Sequence, residues 1–389
     1  MNYQELKDAI SNAIKQNHDE LFKMNCHLAD NPELTGQEKE SSKALADLLA
    51  NHGFKCEQPY GKYPYAFRAV YGENNHSHKV AILAEYDALA GLGHACGHSL
   101  SGSISCLAGI ALSSLQDELD TDIHVIGTPG EEYFATKGFM VDDGLFDGYD
   151  MAIMVHLFNS NIPTPNVLAL SAFEYEFFGK PAHSAAGPWD GVNALNAAQL
   201  HFHAIDMARQ HIKEGSRIHG IIVNGGTAVN IVPDYVMTRV YVRAEKSDYK
   251  NELVEWVDRM AEAAALATGC TWQKKTEVHP TDDLKLNRTG DKVLREVFSE
   301  LGLELGDESV VFGSSDIGCV SYHCPTFHPC LKIADPPVNI HTREFEALMR
   351  TPISEKALDE GALLIALQIV KIVTSPELME KMKADFIEG

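Results

Sequence analysis

Four short segments of the chain carry side chains that can bind a divalent metal or move a proton. They are Glu85-Tyr86-Asp87, His94-Ala95-Cys96-Gly97-His98, Pro129-Gly130-Glu131-Glu132 and, far downstream, Asn339-Ile340-His341. His156 closes a further run of apolar residues. Each piece alone also fits a structural role, as a helix start, a solvated loop or a core histidine. Together, thiolate, imidazole and carboxylate groups form a ligand set typical of zinc.

The two adjacent glutamates, Glu131 and Glu132, suit a division of labour. Neighbouring side chains in extended backbone point to opposite sides, so one can bind metal while the other faces a substrate. A divalent metal lowers the pKa of the water it binds to about 7, and a nearby carboxylate can then remove a proton from that water. The pair therefore predicts one ligand and one general base.

The elements that must position these groups alternate between strands and helices. Each chemical segment follows a short run rich in Val, Ile or Ala: KVAILA before Glu85, DIHVIGT before Glu131, DMAIMVH ending on His156, and CLKIAD before His341. Helices are predicted between these runs, from about Cys96 to Leu115 and near Gly138. This order predicts an α/β domain with a doubly wound, mostly parallel sheet. Functional groups collect beyond the carboxyl ends of strands in such a sheet.

Two helix starts are predicted from capping signals. Thr35-Gly36-Gln37-Glu38 reads as a capping box that opens a helix closing near Gly53. Ser247 is the predicted N-cap of a later helix that stops at Gly269.

The middle of the chain has a different rhythm and predicts a second, inserted domain. Strands are expected at about Ala169–Gly179, Ile218–Val223, Tyr235–Arg243 and Cys270–Val278, with helices after the first and third. The order β-α-β-β-α-β is typical of a ferredoxin-like fold. We therefore expect residues 1–168 and 283–389 to form a catalytic metal-binding domain and residues 169–282 to form a lid or dimerisation domain.

The motifs resemble one known family, the aminoacylase/carboxypeptidase superfamily of co-catalytic metallopeptidases. The closest branch contains auxin-conjugate amidohydrolases and p-aminobenzoyl-glutamate hydrolases. The motifs that carry the resemblance are Glu-Tyr-Asp-Ala-Leu, His-Ala-Cys-Gly-His, Pro-Gly-Glu-Glu and Asn-Ile-His-Thr, joined in the insert by Gly-Lys-Pro-Ala-His-Ser, by Gly225-Gly226 followed by Asn-Ile-Val-Pro-Asp, and by Gly-Ser-Ser-Asp316. It extends over nearly the whole chain and implies a phosphorylase/hydrolase-like catalytic domain.

The resemblance also implies a role for individual residues. Two divalent metal ions per chain are expected, zinc first, with manganese or cobalt as alternatives. The implied metal ligands are Cys96, His98, Glu132, His156 and His341. Glu131 is implied as the general base and Asp87 as a support of the metal centre. His183 is implied to help polarise the scissile carbonyl, and Asn230 is implied to contact substrate. In the family the lid histidine often reaches the active site of a partner subunit, which implies a homodimer or a higher homo-oligomer formed through the lid domain.

The chain departs from the family pattern at two places. Many members have His-x-Asp where this chain has Glu85-Tyr86-Asp87, and the branch usually has Asp or Asn where this chain has Ser99. The first departure removes one histidine ligand and favours the branch in which a Cys/His pair binds metal. His94 is interpreted as a structural turn residue.

Two other functions remain open on the sequence alone. A thiol amidase would use Cys96 as its nucleophile and a nearby histidine as its base, but it leaves both glutamates, His156 and His341 without a role. A non-catalytic peptide-binding protein would not need Glu131. For the hydrolase, the candidate substrates are an N-acyl amino acid, a dipeptide or an aryl-amide glutamate. Three arginines could bind a substrate carboxylate: Arg217, Arg239 and Arg243. Of these, Arg239 and Arg243 are instead expected to be exposed strand residues.

Composition limits the partners of the chain. Among 389 residues, 55 are acidic and 32 basic, which gives a net charge of -23 with no basic cluster. Nucleic acid and membrane surfaces are therefore not expected as partners, because both require basic patches. No run approaches the roughly 20 apolar residues of a membrane span, and no signal peptide is recognised. The eight scattered cysteines lack the paired spacing of a disulfide framework, so the cytoplasm is the expected location.

Overall fold

The computed structural model describes residues 1–73, 75–276, 278–309 and 311–388. The chain forms two compact units. The first comprises Met1–Asn166, Leu284–Phe312 and Asp316–Gly389, and the second comprises Val167–Asp283 and Gly313–Ser315.

The first unit alternates strands and helices and is built from both ends of the chain. Its N-terminal part contains α1 (Tyr3–Asp30), α2 (Lys39–Asn51), β1 (Lys55–Glu57), β2 (Phe67–Val70), β3 (His78–Ala84), α3 (His98–Ser113), α4 (Gln116–Leu119), β4 (Thr121–Gly127), α5 (Thr136–Asp142), β5 (Met151–Ile153) and β6 (His156–Phe158), and β7 (Asn166–Val167) follows it. Its later part contains α8 (Arg288–Glu300), α9 (Ile317–Ser321), β13 (Thr326–Phe327), β14 (Cys330–Lys332), α10 (Arg343–Glu346), a 3-10 turn (Ala347–Arg350), α11 (Pro352–Val373) and α12 (Pro376–Glu388), and β12 (Val311–Gly313) precedes α9.

A mixed sheet forms the centre of the first unit. Within the described ranges it has six strands in the order β1-β2-β4-β3-β5-β13. The pairs β4/β3, β3/β5 and β5/β13 are parallel, whereas β1 and β2 run antiparallel at one side. In register, Ala84 at the end of β3 pairs with Gly127 at the end of β4. The residues after these two strands therefore emerge at the same edge of the sheet.

Burial explains why these strands lack an alternating pattern. All seven residues of β4 are buried, as are Val80–Ala84 of β3, because helices cover the sheet. All 16 residues of α3 are buried. Contacts of α3 with α1, α11 and β3 form one apolar core that fixes the first turn of α3, where the Cys-Gly-His segment lies.

The second unit is a four-stranded antiparallel sheet with two helices. Its elements are β8 (Ala169–Phe178), α6 (Ala194–Ala208), β9 (Arg217–Asn224), β10 (Tyr235–Ala244), α7 (Ser247–Thr268) and β11 (Thr271–Thr276), with 3-10 turns at Pro188–Asp190 and Arg209–His211. The strand order is β11-β8-β10-β9. In β10, side chains alternate strictly between buried and half-buried, because one face of the sheet packs on α6 and α7. The predicted last strand, Cys270–Val278, includes residue 277, which lies outside the described residues.

Four predicted details are wrong. Glu38 does not form a capping box; its carboxylate instead accepts hydrogen bonds from the N–H groups of Gly36 and Gly130, at 2.9 and 2.8 Å. The N-cap of α7 is Lys246, and Ser247 is the first helical residue. The predicted strand DMAIMVH is two strands, with His156 beginning β6. Finally, CLKIAD lies outside the main sheet, because β14 pairs with β6.

No single helix within the described ranges is long and apolar enough to cross a membrane. Taken together, α11 and α12 are long and apolar enough to cross a membrane by length and composition only, but they are bent by 99° at their junction.

Candidate active site

The edge at which β3 and β4 end carries the first group of functional side chains. Glu85 and Asp87 follow β3 directly, and Glu131 and Glu132 follow β4 after one turn. Thr128 donates its backbone N–H to the carbonyl oxygen of Ala84 at 2.8 Å, which extends the pairing beyond the two strands. The parallel register therefore brings the two acidic segments together.

A tight turn before α3 supplies the thiolate and the first imidazole. Gly97 adopts φ +83° immediately before His98, the first residue of α3. A Cβ at Gly97 would also lie 2.9 Å from Cβ of Leu157, so only glycine fits. This turn directs Cys96 and His98 into one space.

The remaining two histidines lie close to Cys96. Sγ of Cys96 is 3.5 Å from Nε2 of His156 and 3.4 Å from Nε2 of His341. The backbone of His341 has φ +63°, unusual for a residue with a Cβ, and its N–H donates to the carbonyl oxygen of Ala95 at 2.8 Å. Such backbone strain is found at functional sites, where the surrounding structure fixes a side chain.

The structure brings all five implied metal ligands together in two groups. One group is Cys96, His98 and His156, and the other is Cys96, Glu132 and His341; within each, the donor atoms lie within 4.8 Å of one another. Donor atoms bound to one tetrahedral zinc ion are about 3.4–3.6 Å apart, from the usual Zn–S, Zn–N and Zn–O lengths. The measured separations are 3.4 and 3.5 Å from Cys96 and 3.6 Å between His341 and Glu132, so the two groups, which both contain Cys96, could hold divalent ions.

Hydrogen bonds determine which imidazole nitrogen is available to an ion. Nδ1 of His98 lies 2.8 Å from Asp87, and Nδ1 of His156 lies 2.8 Å from the carbonyl oxygen of Leu157, so both Nδ1 atoms donate. When the ring is neutral, as metal binding requires, Nε2 of each of these histidines then carries the lone pair. Within the described part of the chain, Nε2 of His98 and Oε1 of Glu132 are buried without a hydrogen-bond partner. Unpaired buried atoms of this kind fit a site for cations.

The electrostatics of the site also fit divalent ions. Burial and the carboxylates of Glu85 and Asp316 raise the pKa of Glu131 well above its usual range, and burial raises the pKa of Glu132 to about 7. The buried cluster contains five carboxylates and one ammonium group, namely Glu85, Asp87, Glu131, Glu132, Asp316 and Lys137. Fully ionised, these six side chains carry a net charge of -4, and a Cys96 thiolate would add one more negative charge, so the site strongly favours divalent cations.

Asp87 joins the two acidic segments. One of its oxygens contacts Nδ1 of His98, and the other accepts the backbone N–H of Glu132 at 2.9 Å. Burial opposes ionisation of Asp87, but the charge of His98 and the hydrogen bond to it lower its pKa overall. The side chain therefore orients one candidate ligand and the backbone of another.

His183 and Asn230 belong to the second unit, whereas the five ligand residues belong to the first. His183 pairs with Ile231, and the N–H of Ser184 donates to the carbonyl oxygen of Asn230 at 3.0 Å, so both candidates lie on adjoining exposed loops. Nδ1 of His183 accepts the N–H groups of Ala185 and Ala186, which leaves Nε2 for other contacts.

The remaining sequence candidates have structural contacts. His94 is buried, and burial together with the charge of His98 lowers its pKa to about 3. Arg239 forms an ion pair with Glu174 at 3.0 Å. Arg243 is not an exposed strand residue, because it is partly buried and donates to Oγ of Ser314.

Two buried residues of the site have no role predicted from the sequence. In the sequence, Glu85 is noted only as a departure from the family pattern, and nothing in the sequence points to Lys137. Lys137 has no exposed surface, and its Nζ lies 2.6 Å from Glu85 and 2.7 Å from Asp316. Asp316 is visible in the sequence only as part of a motif. A lysine near the start of a short helix gives no sequence signal of burial.

Comparisons with known proteins determine the family. A family model of the peptidase dimerisation domain matches residues 169–268. The fold is similar to that of the Bacillus subtilis YXEP protein, a dinuclear metal-binding peptidase of the M20 family, with a TM-score of 0.66, 18% identity, and coverage of 92% of this chain and 99% of that one. The Xaa-Arg dipeptidase of Mus musculus is 32% identical over 376 residues, covering 91% of this chain and 86% of that protein. The chain belongs to the M20 peptidase family.

A second relative has a different named substrate. One of the p-aminobenzoyl-glutamate hydrolase chains of Escherichia coli (strain K12) is 26% identical over 467 residues, covering 98% of this chain and 95% of that protein. The resemblance inferred from the motifs is therefore confirmed, and this M20 peptidase is a metal-dependent hydrolase of amide bonds with an α/β domain and a dimerisation domain.

Proposed function

We propose that this M20 peptidase hydrolyses a dipeptide-like amide using two divalent ions, zinc first, with manganese or cobalt as alternatives. The observation that carries the proposal is the pair of donor groups that share Cys96. The ions would be held by Cys96, His98, Glu132, His156 and His341. They supply positive charge that polarises an amide carbonyl and makes water a stronger acid.

The residues of the chain would then orient the reactants and move the proton. Glu131 lies within 4.8 Å of the donor atoms of both His98 and Glu132, so its carboxylate can take a proton from attacking water and pass it to the leaving amine. Asp87 keeps Nδ1 of His98 protonated, which leaves Nε2 free to bind. We assign Asn230 to substrate binding and His183 to polarisation of the scissile carbonyl, a role supported by its free Nε2.

Net charge favours a basic substrate among the small amides that the relatives cleave. The mouse relative is named for an arginine residue and the E. coli relative for a glutamate residue. A chain with net charge -23 attracts a cationic substrate and repels a dicarboxylate. We therefore propose a dipeptide ending in arginine or lysine as the first candidate, and an aryl-amide glutamate or another N-acyl amino acid as the second.

A substrate panel tests this choice. Metal-loaded protein is assayed with matched dipeptides Xaa-Arg, Xaa-Lys, Xaa-Gln and Xaa-Glu, with p-aminobenzoyl-glutamate and with N-acetyl amino acids. We expect the highest kcat/KM for the basic dipeptides, with an advantage that shrinks as salt is added. Faster hydrolysis of p-aminobenzoyl-glutamate would support the second candidate. No hydrolysis of any amide by protein containing two metal ions would contradict the proposed function.

We propose that residues 1–168 and 283–389 form a doubly wound catalytic domain and that residues 169–282 form a ferredoxin-like lid. The two edges of the lid sheet differ. The edge strand β11 contains Lys274 and Lys275, which discourage pairing, whereas the edge strand β9 exposes Ile221 by 60% and both Ile222 and Val223 by 43%. An apolar edge of this kind favours pairing with another copy of itself. We therefore propose a homodimer through β9.

Two experiments test the dimer. Sedimentation should give dimers for the native chain and monomers for Ile221→Lys, while Thr271→Lys on β11 should stay dimeric. Complementation then tests whether His183 acts across the interface. Equal mixing of Glu131→Gln and His183→Ala chains makes about half the dimers mixed, each with one intact site, so about a quarter of native activity should return. If subunits exchange and no activity returns, His183 does not complete the partner's site.

We also propose that the protein works in the cytoplasm. All eight cysteines are unpaired, three of them partly exposed: Cys26, Cys56 and Cys270. Free thiols of this kind persist in a reducing compartment. Fractionation of the source cells tests the location.

A further inference from the structure

Lys137 is a fully buried cation of the first unit. It is the second residue of α5, and none of its side chain is exposed. Burying an ammonium group is costly unless it is fully paired. Both partners of Lys137, Glu85 and Asp316, are buried as well. An apolar side chain of similar volume would avoid this cost, so the arrangement calls for a functional explanation.

Lys137 is held both at its backbone N–H and at its side-chain ammonium group. The carboxylate of Asp316 accepts the backbone N–H of Lys137 at 2.9 Å through one oxygen and its ammonium group at 2.7 Å through the other. The same ammonium group donates to Oε1 of Glu85 at 2.6 Å. Because Lys137 is fixed at two points, it also fixes the orientation of the Glu85 carboxylate.

Glu85 connects this pair to the candidate metal ligands. Its second oxygen, Oε2, lies 3.2 Å from Nε2 of His98, and both atoms are buried without a hydrogen-bond partner among the described residues. This separation is slightly shorter than the roughly 3.4–3.6 Å expected for two donors on one tetrahedral zinc ion, so the Glu85 carboxylate faces Nε2 of His98 directly. His98 in turn contacts Asp87, which accepts the N–H of Glu132. A continuous buried network therefore runs from Asp316 to the Glu131–Glu132 segment.

Lys137 also acts on a second group of carboxylates. Oxygens of Glu85, Glu131 and Asp316 lie within 4.8 Å of one another, a spacing that could gather a cation. The ammonium group of Lys137 already bonds two of these three side chains. It therefore serves as a fixed positive charge beside Glu131, at a place where a third ion would otherwise be favoured.

We propose that Lys137 is a positioning residue: clamped by Asp316, it holds the Glu85 carboxylate against Nε2 of His98 and so shapes the group formed by Cys96, His98 and His156. The inference rests on the proposed function, because it assumes that His98 binds an ion. Glu85 and Asp316 act only together with Lys137, since each faces it directly.

The test measures metal affinity, which a merely structural role would leave unchanged in folded protein. Lys137→Met keeps the volume but leaves two carboxylates unpaired. We expect the metal affinity of the group formed by Cys96, His98 and His156 to fall by about 10–100-fold, as for other residues that orient ligands. That variant is also expected to lose thermal stability. The neutral triple variant Lys137→Met, Glu85→Gln, Asp316→Asn removes the unpaired charges and should regain stability without regaining affinity.

Cobalt-substituted protein gives a second measurement. The visible spectrum of Co²⁺ reports its coordination, so the triple variant should have a spectrum different from that of the native protein. Lys250 provides the matched control, because it is also buried, lies in the second unit and donates to the carbonyl oxygen of Thr281 at 3.2 Å. Lys250→Met should lower the melting temperature while metal affinity and the cobalt spectrum stay native.

The outcomes separate this inference from the proposed function. A folded triple variant with native metal affinity and a native cobalt spectrum would overturn the positioning role and leave the proposed function intact. Native protein that binds no divalent ion would overturn the proposed function itself. Loss of affinity in the triple variant together with native metal affinity and a native cobalt spectrum in Lys250→Met supports the inference.

Discussion

The buried carboxyl of Glu38 allows a direct test of how burial near the candidate site changes a pKa and, through it, the stability of the protein. Its carboxylate is fully buried between two loops, where Oε1 accepts N–H groups from Gly36 and Gly130 and Oε2 has no partner among the described residues. Burial, and after it the charge of Asp87, raises the pKa of Glu38 from 4.5 to about 7. Glu38→Gln keeps the accepting oxygen and removes the charge.

The sign of the effect follows from proton binding. Between pH 4.5 and 7 the folded protein holds a proton on Glu38 that the unfolded chain has released, so the stabilisation is complete below pH 4.5 and is lost as pH rises through 7. A raised pKa of this size corresponds to about 3 kcal/mol in the free energy of unfolding. The free energy of unfolding of Glu38→Gln relative to the native protein should therefore rise with pH, by up to about 3 kcal/mol between pH 4.5 and 8.

The assay is urea unfolding of metal-free protein at pH 5, 6, 7 and 8, for the native chain and Glu38→Gln. Glu40→Gln is the matched control, because it removes an exposed carboxylate from the first turn of the same helix. A constant difference between the native chain and Glu38→Gln across this range would refute the reasoning, since it would mean that Glu38 ionises alike in the folded and unfolded states.

Three further predictions concern the site. Glu131→Gln should retain metal while kcat falls by about 10²–10⁴, whereas Glu132→Gln should lose metal in elemental analysis; the reverse pattern would exchange the two roles. Chelation should abolish activity reversibly and expose Cys96 to thiol reagents, and rapid labelling of Cys96 in metal-loaded protein would instead favour a thiol nucleophile. Gly102→Ala should lower the free energy of unfolding by about 1–3 kcal/mol, since its Cβ would lie 2.5 Å from the carbonyl oxygen of Glu85; unchanged urea unfolding would contradict that close packing.

The sequence alone indicated a set of metal-ligand candidates, and the family resemblance of its motifs indicated the reaction class. Motif residues such as Cys96, His98 and Glu132 have types that together suit a metal site, and they follow strands whose apolar runs are local in the chain. The order of elements in the second unit was likewise visible, because strand and helix periods are local signals. The branch of the family followed from the same motifs.

Only the tertiary structure decided how the site is supported. Glu85 and Asp316 lie 52 and 179 residues from Lys137 along the chain, and nothing in the local sequence indicates that the three side chains meet. Glu38 lies in a sequence typical of a helix cap, but its carboxylate accepts a hydrogen bond from the N–H group of Gly130, 92 residues away. Such long-range ion pairs and hydrogen bonds depend on which buried groups need a partner after the core has packed, and that requirement arises only in the folded chain.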